Sequence, residues 1–192
     1  MTERTHDLAG LSMLTIMLVS QPLTMVTVGT IGVAIGASLL GAMIPDLDQP
    51  TNHFWHDLPA GSLIGRVIAP LLGGHRLISH SLLGLGMFSW LMHLILIYSH
   101  KFLFVDSNIV WWAFVLGYLS HLVMDTITKE GVPWLFPIPI RLGIPPLKVL
   151  RIETGGLFEK FLIYPGLMVG NGYLIYLNYH KLADFFSHYL VK

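Results

Sequence analysis

The sequence predicts an all-α, polytopic helical membrane protein with four or five spans and two long loops on one membrane face. Two observations carry this expectation. Only 11% of the 192 residues are charged and 54% are hydrophobic, against about a quarter charged in an ordinary soluble domain. Uncharged apolar runs of about twenty residues, the length a helix needs to cross hydrocarbon, also recur along the chain. A mean hydropathy of +0.67 fits a chain solvated by lipid rather than one hiding its apolar surface behind charges.

The elements follow in order. Leu8–Ser20 is apolar but short and is followed by Pro22, so it reads as a fifth span or a partial entry into the bilayer. Leu23–Ile44 is uncharged throughout, and its Gly29, Gly32 and Gly36 recur at a spacing that lets another helix come close. Ile78–Ser99 is the next run. Ile109–Thr128 follows, opening on Trp111 and Trp112, the residue type that collects at membrane interfaces. Phe161–Tyr179 is the last, with Tyr164, Tyr173, Tyr176 and Tyr179 along it. The first residues make a poor secretory signal, because Arg4 is flanked by Glu3 and Asp7 and no small-residue cleavage site follows. The N-terminus is expected to be retained.

The connectors Pro45–Leu77 and Lys129–Lys160 are the two long loops. The second holds prolines at 133, 137, 139, 145 and 146, a density that excludes a long regular helix. If Leu8–Ser20 spans, the N-terminus and both connectors share one face. That face then carries Arg4, Arg66, Arg76, Lys129, Arg141, Lys148, Arg151 and Lys160, eight of the eleven basic residues. The positive-inside bias turns it to the cytoplasm.

Eleven basic and eleven acidic residues cancel, so no net field points to nucleic acid. The absence of cysteine excludes thiolate metal sites, disulfides and a cysteine nucleophile.

Ionisable groups beside spans are costly and suggest function. His6, Asp46, Asp48, His80, His121 and Asp125 all reach the same face in this topology. His121 and Asp125 are one helical turn apart and project from one side. His75 and His80 can both point inward only across a bend or a helix start. Asp46 and Asp48 follow Pro45 in a turn-like segment. Each has a plainer reading: a histidine at a helix end caps it, Asp46 and Asp48 form a turn, and His121 and Asp125 bond to each other. Meeting together, they read as a divalent-metal site, zinc foremost, with manganese or iron(II) also suited to imidazole and carboxylate. His53, His56, His100, His180 and His188 read as loop or interface residues, and His93 as a partner between helices.

The motifs then resemble a family. Ile44-Pro45-Asp46-Leu47-Asp48-Gln49-Pro50 resembles the PDIDHP segment of the YdjM-like family of membrane-bound metal-dependent hydrolases. Gly74-His75-Arg76-Leu77-Ile78-Ser79-His80-Ser81-Leu82-Leu83 is similar to its GHRGxTHSLL. Gly117 to Thr128 with Gly131-Val132-Pro133 is similar to its GYLSHLxxDxxTxxGVP. His6 and the Thr154-Gly155-Gly156 to Glu159 segment fit as well, so the resemblance runs from about residue 5 to about residue 165. Gln49 stands where the family usually has His, and Leu77 and Ser79 replace Gly and Thr.

The resemblance implies a bacterial inner-membrane, multi-pass protein whose metal ligands are His6, Asp46, Asp48, His75, His80, His121, Asp125 and Glu159. On this reading Asp48 or Asp125 serves as general base, and His75 orients a ligand carboxylate. Arg76 binds a phosphoester, for instance a lipid headgroup, bidentately. The rival expectations are a non-catalytic membrane protein with a structural, sensing or transport metal site, and an interaction scaffold whose polar groups only cap helices.

Overall fold

The computed structural model describes residues 1–23, 26–49, 55, 61, 65, 77–138 and 140–190. Among these residues six α-helices occur, with no extended sheet: α1 (Glu3–Val19), α2 (Val28–Met43), α3 (Leu82–Ser99), α4 (Ser107–Thr126), α5 (Tyr164–Leu177) and α6 (Tyr179–Leu190). Three apolar segments are long enough to cross a membrane: Val28–Asp48, Leu82–Ser99 and Ser107–Thr126.

The helix starts follow local capping chemistry. Thr27 Oγ1 accepts from Thr30 N, Ser81 Oγ from Gly84 N, and Asp106 Oδ1 from Asn108 N and Ile109 N. Each bond satisfies an amide that the helix cannot. The caps shift two starts inward from the expected runs: Leu23 gives way to Val28, and Ile78 to Leu82. α1 begins at Glu3 rather than Leu8, which brings His6 inside a helix.

α4 is the central helix and buries Phe114, Gly117, Tyr118, His121, Leu122 and Asp125. It packs on α1, α2 and α3, and α1 also packs on α2 and α5. The close approach expected at Gly29, Gly32 and Gly36 occurs elsewhere. A Cβ on Gly32 or Gly36 would meet nothing within 4 Å, and one on Gly29 only Thr27 Oγ1 at 3.8 Å. On Gly41 it would lie 2.2 Å from the Phe114 carbonyl oxygen, and on Gly117 2.2 Å from that of Ser38. The two glycines let the α2 and α4 backbones touch. A Cβ on Gly10 would lie 3.1 Å from Ala42 Cβ, so α1 comes close at the same place. With no hydrophobic drive between helices in lipid, such backbone contact is a main source of association.

The connector from 127 to 158 folds over the end of α4. Ile152 N donates to Ile127 O, Ile144 N to Thr126 O, and Val132 and Leu142 exchange both backbone bonds. A 3₁₀ turn at Lys148–Leu150 is its one helical piece among the described residues, as the prolines required. Gly131 adopts φ +66°, and a Cβ there would also strike the Leu142 carbonyl at 2.5 Å. On its surface Lys129 Nζ donates to Glu153 at 2.7 Å and holds that exposed carboxyl below its ordinary pKa.

A π-helical turn, Glu159–Ile163, leads into α5. At the far end, α6 is amphipathic and buries Phe185 against the bundle. Lys181 Nζ donates to the Val19 carbonyl at 2.8 Å, a cation on the C-terminal end of α1.

Candidate metal centre

Five stretches of chain end at one end of the bundle: the start of α1, the end of α2, the approach to α3, the end of α4 and the start of α5. Pro45 turns the end of α2 into a 3₁₀ turn, Ile44–Asp48, which carries Asp46 and Asp48. His80 lies in the short segment before α3. His121 and Asp125 sit one turn apart on α4, and His6 comes from the first turns of α1.

Their ligand atoms converge. His80 Nε2 lies 3.3 Å from His121 Nε2, 3.6 Å from Asp46 Oδ1 and 3.7 Å from Asp125 Oδ2. His121 Nε2 lies 3.7 Å from Asp46 Oδ1 and 3.9 Å from Asp125 Oδ2. His6 Nε2 is 3.2 Å from Asp125 Oδ1, which the Met1 amino group also contacts. His6, Asp46 and His121 each offer one atom within 4.8 Å of the others, and so do His80, His121 and Asp125.

Outer partners aim these nitrogens. His121 Nδ1 lies 2.6 Å from the Ala42 carbonyl, which only accepts, so Nδ1 carries the proton and the Nε2 lone pair faces the cluster. His80 Nδ1 faces Asp48 Oδ2 at 3.4 Å, and Ser79 Oγ donates to that same oxygen at 2.7 Å. Tyr118 OH in turn donates to the Ser79 carbonyl. With both Nδ1 atoms turned outward, the two Nε2 lone pairs face each other at 3.3 Å. Such a pair repels unless a proton or a metal ion lies between. His6 Nδ1 is buried and has no hydrogen-bond partner among the described residues.

These spacings fit a metal ion. With bonds of about 2.1 Å to nitrogen or oxygen, neighbouring ligands in a tetrahedron sit about 3.4 Å apart. The five residues His6, Asp46, His80, His121 and Asp125 form two overlapping groups, His6–Asp46–His121 and His80–His121–Asp125, each spaced closely enough to hold a divalent cation. Four of them are buried, while the Asp46 side chain keeps 20% exposure and marks the open side.

Asp48 and Glu159 are placed differently from the expected ligand set. Asp48 is buried behind His80, its Oδ2 engaged by Ser79 and facing His80 Nδ1, so it orients a ligand rather than joining the converging atoms. Glu159 is buried too, but Oε1 accepts from Thr2 N, Thr2 Oγ1 and Thr5 Oγ1 at 2.7, 2.6 and 2.7 Å, and Oε2 from Gly155 N at 2.7 Å. Four accepted bonds make it the anchor for the start of α1. Gly155 reaches it with φ +72°, a conformation only glycine takes without strain. His75 and Arg76 lie outside the described residues, as do His53, His56 and Arg66.

Sequence reasoning missed Ser79, Tyr118, Thr2 and Thr5. The first two lie inside the motifs, where a hydroxyl beside a ligand histidine is the available signal. His93 makes a ring contact with Trp111, with centroids 6.5 Å apart, and no hydrogen bond between helices among the described residues.

Fold and centre together define a multi-pass helical membrane protein with a buried histidine–aspartate cluster at one end of its bundle. The chain belongs to the YdjM inner membrane protein family, which matches residues 1–187. It is 28% identical to Uncharacterized protein YvsG of Bacillus subtilis (strain 168) over 94% of this chain and 98% of that one. It is 31% identical to Inner membrane protein YdjM of Escherichia coli (strain K12), and equally to that of Shigella flexneri, over 67% of this chain and 60% of theirs. The names of these relatives state a membrane for two of them and no reaction. No solved structure matches the chain.

Proposed function

We propose that this protein is a metal-dependent hydrolase of the bacterial inner membrane, acting on a phosphoester at the cytoplasmic face. The observation that carries the reading is the two Nε2 atoms of His80 and His121 facing each other at 3.3 Å, with Asp46 and Asp125 within 3.9 Å. A zinc ion, or manganese or iron(II), would supply Lewis acidity and bring the pKa of a coordinated water to about 7.

The chain's own residues do the rest. Asp48 and the Ala42 carbonyl hold the two imidazoles in the tautomer that presents Nε2. Asp125, touched by His6 and facing His80 and His121, both places a carboxylate on the ion and balances its charge. Asp46 stands at the exposed edge, where substrate would enter, and is best placed to accept a proton there. Arg76 is the expected clamp for the phosphoester.

In the topology we infer, α1 and the helix running from Glu159 to Leu177 cross beside the three long apolar helices, making five spans. The packing of Gly10 against Ala42 supports a crossing α1, and its seventeen residues reach about 25 Å. The basic residues of both long connectors then lie in the cytoplasm with the centre.

The test is turnover of a phosphoester panel by purified protein with Zn²⁺ or Mn²⁺. Hydrolysis blocked by chelator and lost in Asp125→Asn and His121→Ala supports the reading. Bound metal without any turnover would instead favour a structural or sensing site.

A further inference from the structure

Beside the anchor that holds α1 lies a second polar site. A cavity of about 630 Å³ opens between the start of α1 and the π-helical turn, lined by Glu3, Arg4, Lys160 and Tyr164 together with Thr2, Thr5 and Glu159. The Glu159 oxygens are already taken by four donors, leaving Arg4, Lys160, Glu3 and Tyr164 as the other charged and phenolic residues of the lining. Arg4 and Lys160 are exposed and make no ion pair among the described residues. Glu3 stands one helical turn before Asp7, two carboxylates on one face with no cation on either among the described residues.

Two cations and a phenol fit a phosphate group, and the neighbouring carboxylate fits an ammonium. In the chain, Glu159 and Lys160 are bracketed by apolar Leu157, Phe158, Phe161 and Leu162, exposed by 74%, 63%, 76% and 56%. Chains attached to such a headgroup would lie against these side chains.

We propose that this cavity binds the headgroup of a zwitterionic phospholipid, the phosphate on Arg4 and Lys160 and the ammonium on Glu3. The site lies at the same end of the bundle as the metal centre: Thr5 lines the cavity, and His6, the next residue, joins the cluster. That this headgroup is also the substrate rests on the hydrolase reading above; the binding itself rests on the cavity.

The experiment measures binding of dihexanoylphosphatidylethanolamine, dihexanoylphosphatidylglycerol and inorganic phosphate to the purified full chain. It is run with and without Zn²⁺, so no turnover is needed to read it. The ethanolamine lipid should bind best. Arg4→Gln or Lys160→Gln should weaken it about tenfold, the scale of one charge-assisted bond, at unchanged metal content. Glu3→Gln should erase the preference over the glycerol lipid without weakening the latter. Arg4→Lys and Lys160→Arg, which keep the charge, should retain binding, guarding against loss by misfolding.

Unchanged affinity in the Arg4→Gln, Lys160→Gln double variant overturns the site. Inorganic phosphate binding as tightly as lipid makes it a free-phosphate site and overturns the lipid assignment. Equal affinity for the two lipids overturns the zwitterion. Binding as expected without hydrolysis leaves this proposal standing and removes only the hydrolase reading.

Discussion

His6 of α1 and His121 of α4 stack their imidazole rings at 3.6 Å with planes 11° apart, 115 residues distant in the chain. Two protonated rings would repel in that arrangement, so it suits imidazoles held neutral for a metal. It also makes α1 part of the centre.

His121 belongs to both convergent groups, whereas His80 belongs to one. His121→Ala should therefore abolish metal retention, and His80→Ala should leave a weaker, partial occupancy. Elemental analysis of the purified variants beside wild type checks this. Equal metal content in all three would remove the centre from the account.

Asp48 acts through His80. Asp48→Asn should weaken metal affinity about 10- to 100-fold, the usual cost of losing a partner that orients a ligand. It should leave helix content unchanged. Chelator competition reads the affinity, and circular dichroism the fold.

Metal binding should fade on acidification. Imidazole ligands bind only when deprotonated, and their ordinary pKa is about 6.5. Protons compete with the ion for those nitrogens, so the rise in melting temperature on adding Zn²⁺ should be largest at pH 7.5 and shrink steadily as the pH is lowered. A gain that does not change with pH would argue against imidazole ligation.

The α2–α4 crossing has no room for a methyl group at either glycine. Gly41→Ala and Gly117→Ala should each destabilise by about 3 kcal/mol, the upper end for overpacking, because the obstructing atom is a backbone carbonyl. Gly32→Ala and Gly36→Ala meet nothing and should be neutral or slightly stabilising. Thermal unfolding in detergent separates the two pairs.

Glu159→Ala should release the start of α1. Removing a buried acceptor of four bonds should cost at least about 2 kcal/mol. Metal affinity should fall with it, because His6 rides on that helix. An altered melting temperature with metal affinity untouched would show that α1 holds His6 without this anchor.

The sequence by itself determined the membrane-spanning helical character, because apolar length and scarcity of charge are one-dimensional properties that lipid reads directly. It also set His6, Asp46, His80, His121 and Asp125 among the expected ligands, since polar groups at the ends of apolar runs stand out against their neighbours, but it named Asp48, His75 and Glu159 beside them and did not single out these five. Tertiary structure alone decided which glycines make the helix crossing: Gly41 and Gly117 look no different in the chain from Gly32 and Gly36, and only a facing backbone separates them. It also placed Asp48 behind His80 and gave Glu159 to the start of α1. A carboxylate's role depends on which donors surround it, and those donors arrive from Ser79, Thr2 and Thr5, brought there by the packing of the helices.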